Sequence, residues 1–545
     1  MKLRSLAAVC ALAAACSPSG ISAPLDGGAD GAAACTPAAA RPGTVVTDSG
    51  AVTGTLAGAS YIYRGVPYAA PPIGPLRFRP PAPPACWSGE RATTSFAAEC
   101  PQFSGSSAGG VGTGAIAGDE DCLYLNVWAP SAPPPAPLPV MVFIHGGGNV
   151  EGAGSLPSYD GQYLSEHGGA VVVTINYRLG TLGFLVHPAL EAESAEHVSG
   201  NYGILDQIAA LAWVRRNIGG FGGDPARVMI FGESAGAVDV CVLMASPLAK
   251  GLFARALMES GGCYQQPMAA EEPMGAQLAS AAGCGGASDV AACLRALDAK
   301  TILQALPPTG NAIVSGLAAF KPNVDGYVLL ESPILALGDG SAAHVPMIVG
   351  ANGDETGKAA AALQPPIASD AAYQAAVDKQ FGAYASAVLA QYPSSSFASP
   401  EQAYVAVTTD ARFVCPARQT LRAAQAGAPE VAERRYFFTH AVENAGAAIR
   451  AQGAWHGEEL LFVFHTFGAA AGYVPTAAES ALSDAMVGYW SRFAAGGDPD
   501  GAGAAAWPAF TAAGDEYLGL DDTIAAGAGV RTARCDFWDG LAGMP

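Results

Sequence analysis

Gly232-Glu233-Ser234-Ala235-Gly236 sets a serine between two glycines, and a serine so placed is a candidate nucleophile for acyl transfer. The flanks carry more weight than the pentapeptide. Arg227-Val228-Met229-Ile230-Phe231 ahead of it is an apolar, β-prone run, and Ala237 to Met244 behind it is apolar at helical spacing. Strand, sharp turn and helix would lift the Ser234 hydroxyl above a sheet. A turn this tight crowds any side chain beside the serine, and Gly232 and Gly236 have none to crowd. The hydroxyl is a poor nucleophile until a base takes its proton, so the chemistry also needs a histidine, an acid to orient it, and N–H donors for the oxyanion.

Candidate donors follow an earlier apolar run. Leu138 to His145 reads as a strand, and His145-Gly146-Gly147-Gly148 closes it with a glycine loop whose Gly147 and Gly148 N–H groups, with that of Ala235, can converge on a developing negative charge. For the acid, Val349-Gly350-Ala351-Asn352-Gly353-Asp354-Glu355 puts two carboxylates just past a strand end. Beyond Ser234 the histidines are His344, His440, His456 and His465. The order serine, acid, histidine disfavours His344, which precedes the acids. His440 ends a strand, His465 follows an apolar run and His456 stands in a loop opening a helix; the pattern alone leaves the choice open.

The elements that must hold these residues alternate. Leu138 to His145 and Ala170 to Asn176 are near-continuous apolar runs, as strands buried on both faces require. Between Ile204 and Ile218 apolar positions fall at three- and four-residue spacings, an amphipathic helix. Val345 to Gly350 and Arg435 to Phe438 repeat the strand signal. Helices between buried strands imply an α/β protein with a large, mostly parallel twisted sheet flanked by helices. Ahead of it, the prolines of Tyr63 to Phe78 favour an extended segment, and its interleaved aromatics and arginines suit packing onto the main domain.

Composition narrows the setting. A formal net charge of −20 over 545 residues repels phosphate backbones, so nucleic acid is a poor partner and none is expected. Met1-Lys2-Leu3-Arg4 followed by an apolar run from Leu6 to Ala15 has the shape of a signal peptide, so export is expected. Leu12-Ala13-Ala14-Ala15-Cys16 also resembles a bacterial lipobox, which would place a lipid on Cys16 as the one contact with a membrane; Ala13 departs from the usual leucine. The division is residues 1–16 as signal, 17–42 as a flexible tether and 43–545 as one domain. Twelve cysteines in an exported chain read as disulfides. There is no Cys-x-x-Cys and no His-x-x-x-His, so no metal is expected.

Taken together, Tyr63 to Phe78, Glu120-Asp121-Cys122-Leu123-Tyr124-Leu125-Asn126-Val127, the glycine loop, Asn217 to Pro225, the serine turn, Asp354-Glu355 and Gly453 to Phe464 resemble the type-B carboxylesterases of the α/β-hydrolase fold, over residues from about 44 to 540. The resemblance implies Ser234 as nucleophile, Glu355 as acid and His456 as base, an oxyanion hole of Gly147, Gly148 and Ala235, and Glu233 and Ser260 in a buried polar network beside them. It implies long insertions forming the rim of a gorge, no cofactor, and a small-molecule carboxylic ester as substrate. It also implies bridges Cys100 to Cys122, Cys284 to Cys293 and Cys415 to Cys535. Cys35, Cys86, Cys241 and Cys263 stay unassigned, with Cys241 expected as a buried thiol. Two departures bear on substrate. Gln102-Phe103 replaces the tryptophan that stacks on choline, which argues against choline esters, and Asn149 stands where an aromatic is usual. The rival readings are a non-catalytic surface adhesion module of the same fold, and a lipase or carbamate-cleaving variant. Substrate identity and oligomeric state are not written in these residues.

Overall fold

The computed structural model describes residues 41–541 except 106–111, 113, 264, 319 and 470–471. The signal, Cys16, Cys35 and nearly all of the tether lie outside the described residues. Eleven strands form one sheet: β1 (Thr55–Ala57), β2 (Ser60–Pro67), β3 (Tyr124–Pro130), β4 (Leu138–Ile144), β5 (Val171–Ile175), β6 (Gly223–Glu233), β7 (Arg255–Glu259), β8 (Met347–Asn352), β9 (Glu433–Phe438), β10 (Glu516–Leu520) and β11 (Ala525–Ala528). Their spatial order is β11-β10-β9-β8-β7-β6-β4-β5-β3-β2-β1. From β10 to β5 every pairing is parallel. β1 to β3 and β11 add antiparallel edges.

The apolar runs become strands because both faces of the central sheet are covered. In β4, Val140, Val142 and Ile144 point into one core and Met141 and Phe143 into the other. In β6, Val228 and Ile230 alternate in the same way with Met229 and Phe231. That period of two is what a continuous apolar run delivers when each face meets helices. The helix expected from Ile204 to Ile218 is α1 (Tyr202–Asn217), and the one after the serine turn is α2 (Ala235–Ala245). Further on come α3 (Pro400–Thr409), α4 (Cys415–Gly427), α5 (Glu459–Val463) and α6 (Ala477–Gly496). The proline-rich segment is strand as far as Pro67, and its end is fastened: Phe78 is buried and the Arg77 guanidinium grips Glu120 at 2.6–2.7 Å.

The chain leaves β4 for β5 on one side and leaves β6 for β7 on the other. The crevice between β4 and β6, at the carboxyl ends of the strands, is therefore where an open α/β sheet receives a ligand.

Four disulfides close completely within the described residues: Cys100–Cys122, Cys284–Cys293, Cys415–Cys535 and Cys241–Cys263. The last corrects the expectation of a free thiol at Cys241. Because β6 and β7 are neighbours, the helix rising from β6 lies against the chain leaving β7, and a Cβ on Gly261 would sit 2.5 Å from the Ala237 Cβ. That close approach brings Cys241 and Cys263 within 5.6 Å, Cα to Cα. Cys86 is also disulfide-bonded.

Candidate active site

β6 ends at Glu233, and Ser234 takes φ 58°, ψ −121° before α2 begins at Ala235. A side chain at that φ is strained and persists only where its surroundings hold it. Here the Ser234 N–H donates to the Glu259 carbonyl at 2.8 Å and the Ser234 carbonyl accepts from the Val238 N–H at 3.1 Å. The glycines are obligatory. A Cβ on Gly236 would lie 2.0 Å from the Ile144 carbonyl oxygen, and one on Gly232 2.6 Å from the Gly236 carbonyl carbon. So close an approach of α2 to the end of β4 sets the Ala235 N–H beside the glycine loop.

In that loop Gly147, Gly148 and Asn149 all have positive φ, at 104°, 64° and 58°. Asn149 is pinned from below. Its amide nitrogen donates to Asp239 Oδ1 at 3.0 Å, its amide oxygen accepts from the Tyr177 hydroxyl at 2.9 Å, and Gln207 donates to Asp239 Oδ2 at 2.6 Å. Burial pushes the Asp239 carboxyl up to about 7 against these two donors. From the side, Gln102 accepts from the Gly152 N–H at 2.7 Å and donates back to its carbonyl at 3.0 Å. The two departures noted in the sequence thus both brace the loop. Gly148 and Ala235 line the cavity that holds Ser234; Gly147 lies one residue outside its wall.

Glu355 is fully buried just past β8, where its Oε1 accepts from the Asn352 N–H at 2.7 Å. Its Oε2 lies 2.6 Å from His456 Nδ1, and its carbonyl accepts from the His456 N–H at 3.0 Å. The imidazole is clasped by one residue through both backbone and side chain. Its other edge faces Glu233: Nε2 is 3.1 Å from Oε1 without forming a hydrogen bond, and no hydrogen bond joins Nε2 to Ser234. Phe413 packs on the imidazole with ring centroids 4.8 Å apart. Burial lowers the affinity of His456 for a proton, but Glu233 and Glu355 outweigh it and hold the pKa above the ordinary value.

The acids around it form a buried group. Burial pushes Glu233 up to about 7 and Glu259 up to about 8, the latter while its Oε1 accepts from the Trp490 indole at 2.8 Å. Burial also raises Glu459, whose carboxylate accepts from the Asn352 amide. Ser260 has φ 58° and a buried hydroxyl without a hydrogen-bond partner among the described residues. It lines the same cavity as Ser234.

The remaining histidines go elsewhere. His440 has Nε2 3.3 Å from Glu479 and Nδ1 3.1 Å from Asp522. His465 Nδ1 is 2.8 Å from the Ser483 hydroxyl, and His344 Nε2 is 2.7 Å from the Gly340 carbonyl.

The cavity above Ser234 measures about 690 Å³, ample for a small ester. Phe413 and Arg412 form part of its wall, and nothing in their sequence neighbourhood marked them. They sit in one turn of π-helix, Asp410–Val414, between α3 and α4. Glu459 left a faint signal, an acid heading the apolar run Leu460-Leu461-Phe462.

Residues 41–538 match the family model described as the carboxylesterase family. The chain is 37% identical over 497 residues to the fumonisin B1 esterase of Sphingopyxis macrogoltabida, covering 89% of this chain and 87% of that one. It is 36% identical over 527 residues to the cocaine esterase of Oryctolagus cuniculus, covering 89% and 92%. A solved PNB esterase superposes with a TM-score of 0.77 at 32% identity, over 91% of this chain and all of that chain.

Proposed function

Because the chain belongs to the carboxylesterase family and is a carboxylic ester hydrolase, we propose that it works through an acyl-enzyme formed on Ser234, with His456 as base and Glu355 as its orienting acid. The supporting observation is the clasp of His456 by Glu355, 2.6 Å from Nδ1, which leaves Nε2 as the basic edge, beside Glu233, the residue before Ser234.

In this reading Nε2 takes the hydroxyl proton as Ser234 Oγ attacks the ester carbonyl. The N–H groups of Gly147, Gly148 and Ala235 hold the oxyanion, helped by the positive end of α2. The imidazolium then protonates the departing alkoxide, and water repeats the sequence on the acyl-enzyme. Nε2 has no hydrogen-bond partner among the described residues, so the proton-transfer contact to Oγ forms with substrate in place. Glu233 stands where it favours the imidazolium.

A fluorophosphonate should label Ser234, found by peptide mass spectrometry, and Ser234→Ala should lose about 10⁴-fold or more in kcat with unchanged circular dichroism. Labelling elsewhere, or near-normal turnover of phenyl acetate by that variant, would refute the assignment.

We further propose export. The charged and apolar start of the chain and the disulfides support it. Fractionation of producing cells, with metabolic labelling by a radioactive fatty acid, separates a lipid on Cys16 from free release; a cytoplasmic, unprocessed product would sink the proposal.

The relatives act on esters as unlike as fumonisin B1 and cocaine, by their names. The particular ester must therefore be read from this chain's own cavity wall.

A further inference from the structure

The wall of the Ser234 cavity is electrically unlike the rest of the molecule. The chain has 47 acidic and 27 basic residues, yet the described residues lining this cavity include Arg412 and Lys321 and no carboxylate. We propose that the site prefers esters bearing a free carboxylate, which the Arg412 guanidinium binds. The inference rests on the hydrolase reading of the same cavity.

Arg412 is held in place but left without a counter-charge. Its π-helical turn inserts an extra residue between α3 and α4, a distortion that commonly serves function, and brings Arg412 and Phe413 together to the cavity wall. One Nη donates to the Ala312 carbonyl at 2.8 Å, Nε is buried with no acceptor, and among the described residues no acid forms an ion pair with the group. Two fully buried arginines are, by contrast, neutralised: Arg178 by Asp206 and Arg435 by Asp515. So is the neighbouring charge in the same turn, since Asp410 takes Arg531 and Arg534.

A half-desolvated guanidinium with unsatisfied donors is costly, and a carboxylate is the planar, oppositely charged acceptor that relieves the cost. Burial lowers the Arg412 pKa to about 10, which still leaves it charged at neutral pH. Because Arg412 and Ser234 line one cavity, a carboxylate on Arg412 would belong to a molecule that shares that cavity with the nucleophile. Lys321 is exposed on the wall and close enough to Glu271 to influence it, so its part is to attract an anion rather than to fix it.

Two ester pairs test this, each pair differing by one methyl cap on the acid: 4-nitrophenyl hydrogen glutarate against 4-nitrophenyl methyl glutarate, and 4-acetoxybenzoate against methyl 4-acetoxybenzoate. The first puts the charge on the acyl side and the second on the alcohol side. The quantity read is the ratio of kcat/KM, free acid over capped ester. The expected ratio in the wild-type protein is about 10 or more for at least one pair; Arg412→Met should lower it at least about tenfold and Arg412→Lys should retain most of it. Monomethyl glutarate should also inhibit the wild-type protein at least about tenfold more strongly than dimethyl glutarate, a reading that does not depend on any variant folding. Capped esters favoured in both pairs, or a ratio indifferent to Arg412→Met, would overturn the anion site while leaving the hydrolase reading intact. If instead neither pair is hydrolysed and Ser234 resists fluorophosphonate, the hydrolase reading fails; equilibrium binding of monomethyl glutarate, weakened by Arg412→Met or not, then decides the anion site by itself.

Discussion

His456 Nε2 lies 3.1 Å from Glu233 Oε1, across the ring from the 2.6 Å contact between Nδ1 and Glu355. The imidazole is thus flanked by two carboxylates, and in the proposed mechanism one orients it while the other stands beside the edge that accepts the proton. Electrostatics of this kind trades basicity against availability: the same field that favours the imidazolium during reaction also keeps it protonated to higher pH before reaction.

The pH dependence follows with a definite sign. The pKa of His456 is raised, and the proton must be off before attack, so kcat/KM should be full above the raised value and fall as pH drops through it. Glu233→Gln removes one of the two raising charges while keeping the side chain's size. Its acid limb should move to lower pH by at least about half a unit. A limb that stays in place, or moves up, would show that Glu233 does not act on His456.

Histidine choice is separable by substitution. His456→Gln should cut kcat by about 10³-fold or more, because the base and its partner act as a unit. His440→Gln should leave ester turnover within a few fold, since its ring faces Glu479 and Asp522. The reverse pattern in a phenyl acetate assay would place the base at His440.

Gly236→Ala probes the serine turn. The added Cβ would meet the Ile144 carbonyl oxygen at 2.0 Å, which backbone must move to relieve. Since about 1 Å of displacement at a reacting atom can cost about 10²-fold, kcat should fall by at least that much. Full activity and an unchanged melting temperature would mean that α2 does not approach β4 so closely.

The Cys241–Cys263 bridge closes a loop of 22 residues, worth about 3 kcal/mol in the chain-entropy account. The double variant Cys241→Ala, Cys263→Ala should melt at lower temperature, and the unreduced protein should not take up iodoacetamide at Cys241. Alkylation of Cys241 without reductant would contradict the bridge.

Much of this was written along the chain, because it depends on neighbours in sequence. Apolar runs of strand length, the glycines around Ser234 and the glycine loop after β4 are local demands of backbone geometry, and they announce strand, turn and donor loop without knowledge of the fold. The family resemblance then singled out Glu355 and His456 from a set that pattern left open. What only the tertiary structure decided are meetings between segments far apart in the chain. His440 and His456 are equally good histidines until one sees that β9 turns the first toward Glu479 while the loop before α5 folds the second onto Glu355. Cys241 reads as a buried thiol until β6 and β7 are known to be neighbours. Arg412 is an ordinary arginine in a helical stretch until a π turn sets it in the wall of the Ser234 cavity, where the described residues include no carboxylate. The physical reason is the same in each case. Backbone conformation is set within a few residues, whereas the free energy of a charge or a thiol depends on whatever the fold places within a few ångströms of it.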